Sequence, residues 1–130
     1  MASFRTPMRR ARGLGSAKHG VGHWISERVT AVVLVPLVLW AIWGALTIAR
    51  GGYAGAAAWL ASPLNAVLTA LLLAVGFLHM HAGMRVVVED YIDKPGTKAA
   101  LLILNLFVCG LGGALAVFCV TKVALTGGAF

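Results

Sequence analysis

Three uncharged stretches dominate the chain, at residues 29–49, 51–84 and 99–121, each bounded on both sides by arginine or lysine. A helix needs about 20 apolar residues to cross a hydrocarbon core, where backbone polar groups must be satisfied internally. The first stretch, VTAVVLVPLVLWAIWGALTIA, therefore predicts a span over 29–49, bent locally at Pro36. The second opens on GGYAGAAAWLASP, whose glycines, small residues and closing Pro63 predict a loop or interfacial segment over 50–62 rather than a helix. A second span follows over 63–90, through PLNAVLTALLLAVGFLHMHAGM and past the bilayer edge towards Asp90. After a connection at 91–98, a third span covers 99–122, with Lys122 snorkelling to the interface ahead of a short end at 123–130. The predicted fold is an all-α membrane protein with three transmembrane helices.

Composition supports this reading. Hydrophobic residues make up 60% of the chain and charged residues 12%, whereas a soluble domain carries about a quarter charged residues. A soluble enzyme, a disordered tail and a disulfide scaffold all fit poorly. Cys109 and Cys119 stand ten residues apart, about 15 Å along a helix, too far for a bridge, and read as small apolar residues. Trp40 and Trp43 read as packing or interface residues.

The formal charge of +7 is concentrated in a tail over 1–28, where Glu27 alone opposes Arg5, Arg9, Arg10, Arg12, Lys18 and Arg28. No groove-entering helix or aromatic-basic platform accompanies these charges, so nucleic acid is not the expected partner. Nor does an apolar core with a small-residue cleavage site follow them, as a signal peptide requires. They read as a cytoplasmic tail, retained by the positive-inside effect and drawn to anionic lipid. Arg85, Lys94 and Lys98 in the second connection, against Arg50 alone in the first, agree: amino end cytoplasmic, carboxyl end periplasmic. Small residues such as CGLGGALA in the third span either fill the helix or let another backbone approach closely, and partner subunits are expected.

The second span ends unusually, in LHMHAGMRVVVEDYIDKP. A histidine inside a membrane helix normally pairs, hydrogen-bonds or binds something. His79 and His81 point to different faces, so one shared ligand for both is not expected. His79 is the better candidate. Gly83 follows four residues later on the same face and leaves room for a large flat cofactor; Asp90 follows eleven later, about 20° away in projection and roughly 16 Å along the axis. A neutral imidazole suits haem iron when its other nitrogen is fixed by a hydrogen-bond acceptor, but a buried hydrogen-bonded histidine satisfies the same pattern. One helix supplies one such ligand, so a six-coordinate iron needs its second from another chain. Glu89, Asp90 and Tyr91 read either as a helix end entering water with an interfacial anchor, or as a phenol and carboxylate able to hydrogen-bond and protonate a quinone.

The ordered set HMHAGMRVVVEDY resembles the second helix of the small hydrophobic membrane anchor, the D-type subunit, of succinate dehydrogenase, respiratory complex II. GSAKHGVGHWISERVTAVVLVPLVLW is similar to the bacterial form of its amino end. This resemblance implies a multi-pass subunit of the bacterial inner membrane packed with a companion cytochrome b anchor. It also implies that His79 is an axial ligand of a shared haem b, with Gly83 leaving room for the ring. Arg28 would lie near the haem propionates, or serve as an ordinary anchor; Tyr91 and Asp90 would form part of a ubiquinone site. Electrons from succinate would arrive through a flavoprotein and an iron-sulfur subunit, and the chain would do no substrate chemistry alone. The alternatives are a fumarate reductase anchor using menaquinone, and a cofactor-free helical regulator or assembly factor. His81, His19 and His23 receive no role.

Overall fold

The computed structural model describes residues 6–8 and 20–127, in which four helices follow one another: α1 (Val21–Ile48), α2 (Gly52–Ala61), α3 (Pro63–Tyr91) and α4 (Pro95–Thr126). α1, α3 and α4, of 28, 29 and 32 residues, are each long and apolar enough to cross a membrane. Arg5, Arg9, Arg10, Arg12, Lys18 and His19 lie outside the described residues.

The helices overrun the charge-free limits. α1 starts at Val21 instead of residue 29, because charge marks where lipid ends while backbone hydrogen bonding continues; the Trp24 amide already donates to the Gly20 carbonyl at 3.0 Å. Neither Glu27 nor Arg28 opposes a helix. α4 starts at Pro95 instead of 99, since proline suits the first helical position and holds Lys94 in an extended conformation before it. The connection expected over 91–98 thereby shrinks to residues 92–94.

The clearest departure is α2, which occupies the stretch expected to be a loop. GAAAWLA is rich in the best helix-forming residue, and the glycines act only at its start. Gly52 turns the chain with φ +55°, and a Cβ on Gly51 would lie 2.8 Å from the Gly55 backbone. At the other end Ser62, held extended before Pro63, closes α2 and opens α3. Trp59 fixes α2 onto α1 by packing against Trp40 and Trp43, with ring centroids at 5.7 and 5.4 Å, over Gly44. Trp40 and Trp43 thus serve packing.

α3 is the central helix. It packs most extensively on α4 and, on another side, against α1, while α1 and α4 do not meet among the described residues. The α3–α4 approach depends on Gly112 and Gly113, where an added Cβ would lie 2.8 and 3.1 Å from Phe77. Part of the CGLGGALA stripe is therefore used within the chain. Only a few side chains, such as Leu37, Val88 and Cys109, are buried, and most large apolar groups face outward, as suits a thin bundle in lipid or against other subunits.

The glycine contact makes a prediction. At Gly113 the opposing atom is the Phe77 Cβ, which cannot swing away, so Gly113→Val should destabilise the bundle by about 1–3 kcal/mol. Gly110 faces open space, so Gly110→Ala should leave the melting temperature nearly unchanged. Thermal unfolding in detergent, followed by helical circular dichroism, checks the pair; equal effects would remove the packing argument.

Candidate functional site

α3 is unbroken through Tyr91, so His79, Gly83 and Asp90 lie on one continuous rod. His79 is half-buried and turned towards α1, its Nδ1 3.0 Å from the Thr30 hydroxyl oxygen. Beyond the ring lies a groove of about 380 Å³ lined by Ala31, Leu34, Val35, Val38 and Leu39 of α1. One turn further along α3, a Cβ built on Gly83 would meet nothing within 4 Å. No packing inside the chain demands glycine there. The backbone at Gly83 is therefore open to a close approach that a larger side chain would obstruct.

His81 has a different environment. Two residues from His79, it is rotated by about 200° and meets α4. The Asn105 amide nitrogen donates to the His81 carbonyl at 3.0 Å and lies 3.1 Å from its Nδ1, while the amide oxygen accepts from the Cys109 thiol at 3.2 Å. The ring borders an apolar cavity of about 420 Å³ between α3 and α4 that includes Phe77, Cys109 and Gly113. α3 is thus held from two sides by polar contacts: Thr30 to His79 and Asn105 to His81.

The other expected residues lie at the ends of the helices. Asp90 and Tyr91 are exposed on the last turn of α3, Tyr91 to 79%. Lys98 donates to the Glu89 carbonyl at 2.9 Å, satisfying one of the acceptors a helix end leaves open, and Arg85 bridges to Glu89 at 2.7 Å. Arg28 is exposed on α1, its guanidinium 5.7 Å from the Trp24 ring centroid. It stands two residues before Thr30, about 3 Å along the axis from the residue that touches His79. His23 lies seven residues before Thr30, nearer the start of α1. The structure therefore puts His79 and Gly83 on one face of α3, with Asp90 and Tyr91 some three turns further along, while Arg28, two residues from Thr30, lies about 200° around α1 from the residue that touches His79.

Neither Thr30 nor Asn105 is singled out by the sequence, and Cys109 reads there only as a small apolar residue. Asn105 carried a signal, a strongly polar amide within an apolar run, of the kind that marks an interhelical contact. Thr30 carried almost none, because a threonine in a membrane helix ordinarily bonds back to its own helix.

The family described as "Succinate dehydrogenase/Fumarate reductase transmembrane subunit" matches residues 2–124, nearly the whole chain. The chain belongs to this family. Among its relatives, the succinate dehydrogenase hydrophobic membrane anchor subunit of Rickettsia conorii is 33% identical over 107 residues, covering 82% of this chain and 85% of the relative. The subunit of the same name from Paracoccus denitrificans is 33% identical over 107 residues, covering 80% and 81%. That of Rickettsia bellii is 33% identical over 101 residues, covering 77% and 80%. No solved structure gives a significant match. The chain is thus a multi-pass membrane anchor subunit of the succinate dehydrogenase/fumarate reductase type, with three candidate spans. This membership agrees with the resemblance read from the sequence and sets aside the alternative of a helical regulator or assembly factor.

Proposed function

We propose that this anchor binds haem b with a companion cytochrome b anchor and completes a ubiquinone-reducing site for electrons from succinate. One observation carries the reading: an imidazole fixed through Nδ1 by a neighbouring helix stands one turn from an open glycine, on a helix that continues unbroken to Asp90 and Tyr91. The donor set fits the group. His79 would coordinate through Nε2, Gly83 would admit the ring edge, and Arg28 would pair with a propionate, for which a planar guanidinium is suited. Haem b, when bound, supplies one-electron redox chemistry. Since this chain offers one imidazole on that face, the second axial ligand comes from the companion subunit.

At the end of α3 the exposed Tyr91 phenol donates a hydrogen bond to a quinone carbonyl, and Asp90 beside it passes protons in from the aqueous side. The basic amino end and this edge both face the cytoplasm, where the iron-sulfur and flavoprotein subunits dock. The carboxyl end is periplasmic. The chain contributes position, hydrogen bonding and electrostatics, and performs no substrate chemistry alone. The relatives' names favour the succinate-oxidising direction over fumarate reduction.

The reduced-minus-oxidised absorption spectrum of the purified complex tests this assignment. A b-type signal is expected in the native complex and in His81→Leu, because His81 faces α4 and Asn105 instead of the open side. A complex without that signal, or one that loses it through His81→Leu but keeps it through His79→Leu, would return His79 to a purely structural role.

A further inference from the structure

We propose that Thr30 is the positioning residue for His79, accepting a hydrogen bond from its Nδ1–H and so holding the imidazole in the tautomer whose Nε2 carries a free lone pair. The inference rests on the reading of His79 as a haem ligand and adds to it the direction of the Thr30 hydrogen bond and its consequence for the ring.

The Thr30 oxygen lies 2.9 Å from the Ser26 carbonyl oxygen, 3.0 Å from that of Glu27 and 3.0 Å from Nδ1 of His79. A hydroxyl has one proton and two lone pairs, and carbonyl oxygens only accept. The proton goes back to the α1 backbone, as threonine commonly arranges in membrane helices. A lone pair then faces Nδ1, so the ring carries its proton there and leaves Nε2 bare.

His81 shows the opposite arrangement. Its own carbonyl fixes the Asn105 amide with the nitrogen towards α3, so the second N–H of that nitrogen points at Nδ1, which accepts. The Cys109 thiol, donating to the other end of the amide, agrees with this orientation. A neutral ring that accepts at Nδ1 is protonated at Nε2 and has no lone pair for a metal. Two neighbouring histidines are thereby sorted by their partners, one as a ligand and one as a helix-to-helix contact. Thr30 also influences donor strength, because an acceptor on the remote nitrogen makes the coordinating nitrogen more basic.

The test uses the intact complex with Thr30→Val, which keeps the shape and removes the hydroxyl, and Thr30→Ser, which keeps the hydroxyl. Thr30→Ala replaces the valine variant if that one does not assemble. Haem content, the electron paramagnetic resonance of the oxidised haem and its reduction potential are measured. Loss of the acceptor should weaken haem retention by about tenfold or more, alter the resonance and move the potential upward, since a poorer donor stabilises the oxidised iron less. Thr30→Ser should return all three towards native values. Native retention, resonance and potential in Thr30→Val, alongside haem loss in His79→Leu, would overturn the role of Thr30 while leaving the ligand assignment standing. Retention of native haem in His79→Leu would remove the ligand assignment and this inference together.

Discussion

Replacing His79 with leucine is expected to abolish the b-type absorption of the assembled complex, the largest effect of any single side chain here. The change deletes the only imidazole on the Gly83 face of α3. His81 cannot substitute by a small adjustment. It lies about 200° around the helix, and its ring and carbonyl are both engaged by Asn105. Bringing it to the open face would break those contacts and rotate α3 against Gly112 and Gly113, which pack tightly on Phe77. The loss should therefore be close to complete, while helical content remains near native because leucine is a good helix former. Absorption and circular dichroism of the same preparation check the two halves.

Tyr91→Phe should lower ubiquinone reduction by succinate by about a hundredfold, the lower end of what one positioned hydrogen-bond donor contributes. The substitution removes only an oxygen from a side chain that is 79% exposed at the end of α3, so neither packing nor assembly should change. Succinate oxidation with an artificial electron acceptor, which bypasses the quinone site, should stay near native. That contrast distinguishes a hydrogen bond to substrate from an interfacial anchor. Unaltered quinone turnover in Tyr91→Phe would assign Tyr91 to the anchor role.

The number of spans and the continuity of α3 were legible because they follow from strong physical constraints: lipid excludes unpaired backbone and charge, and no proline or glycine pair interrupts the stretch between Pro63 and Tyr91. The common face of His79 and Gly83 followed from helical spacing alone. α2 was not legible, since its glycines, proline and alanines argue in opposite directions, and the outcome depended on Trp59 finding Gly44 and two tryptophans on α1. Thr30 was hidden for another reason. Its meeting with His79, 49 positions on in sequence, depends on the register between two helices, which neither helix specifies by itself. Asn105 stood out as polar, but its choice of His81 over His79 required the rotation of α3.

The most direct test is an experimental density map of the assembled complex around α3. Expected are a porphyrin edge beside Gly83, iron bonded to Nε2 of His79, Nδ1 of that ring on the Thr30 hydroxyl, and a companion subunit supplying the opposite ligand. Iron bonded to His81, or lipid alone along the face of His79 and Gly83, would contradict the ligand assignment.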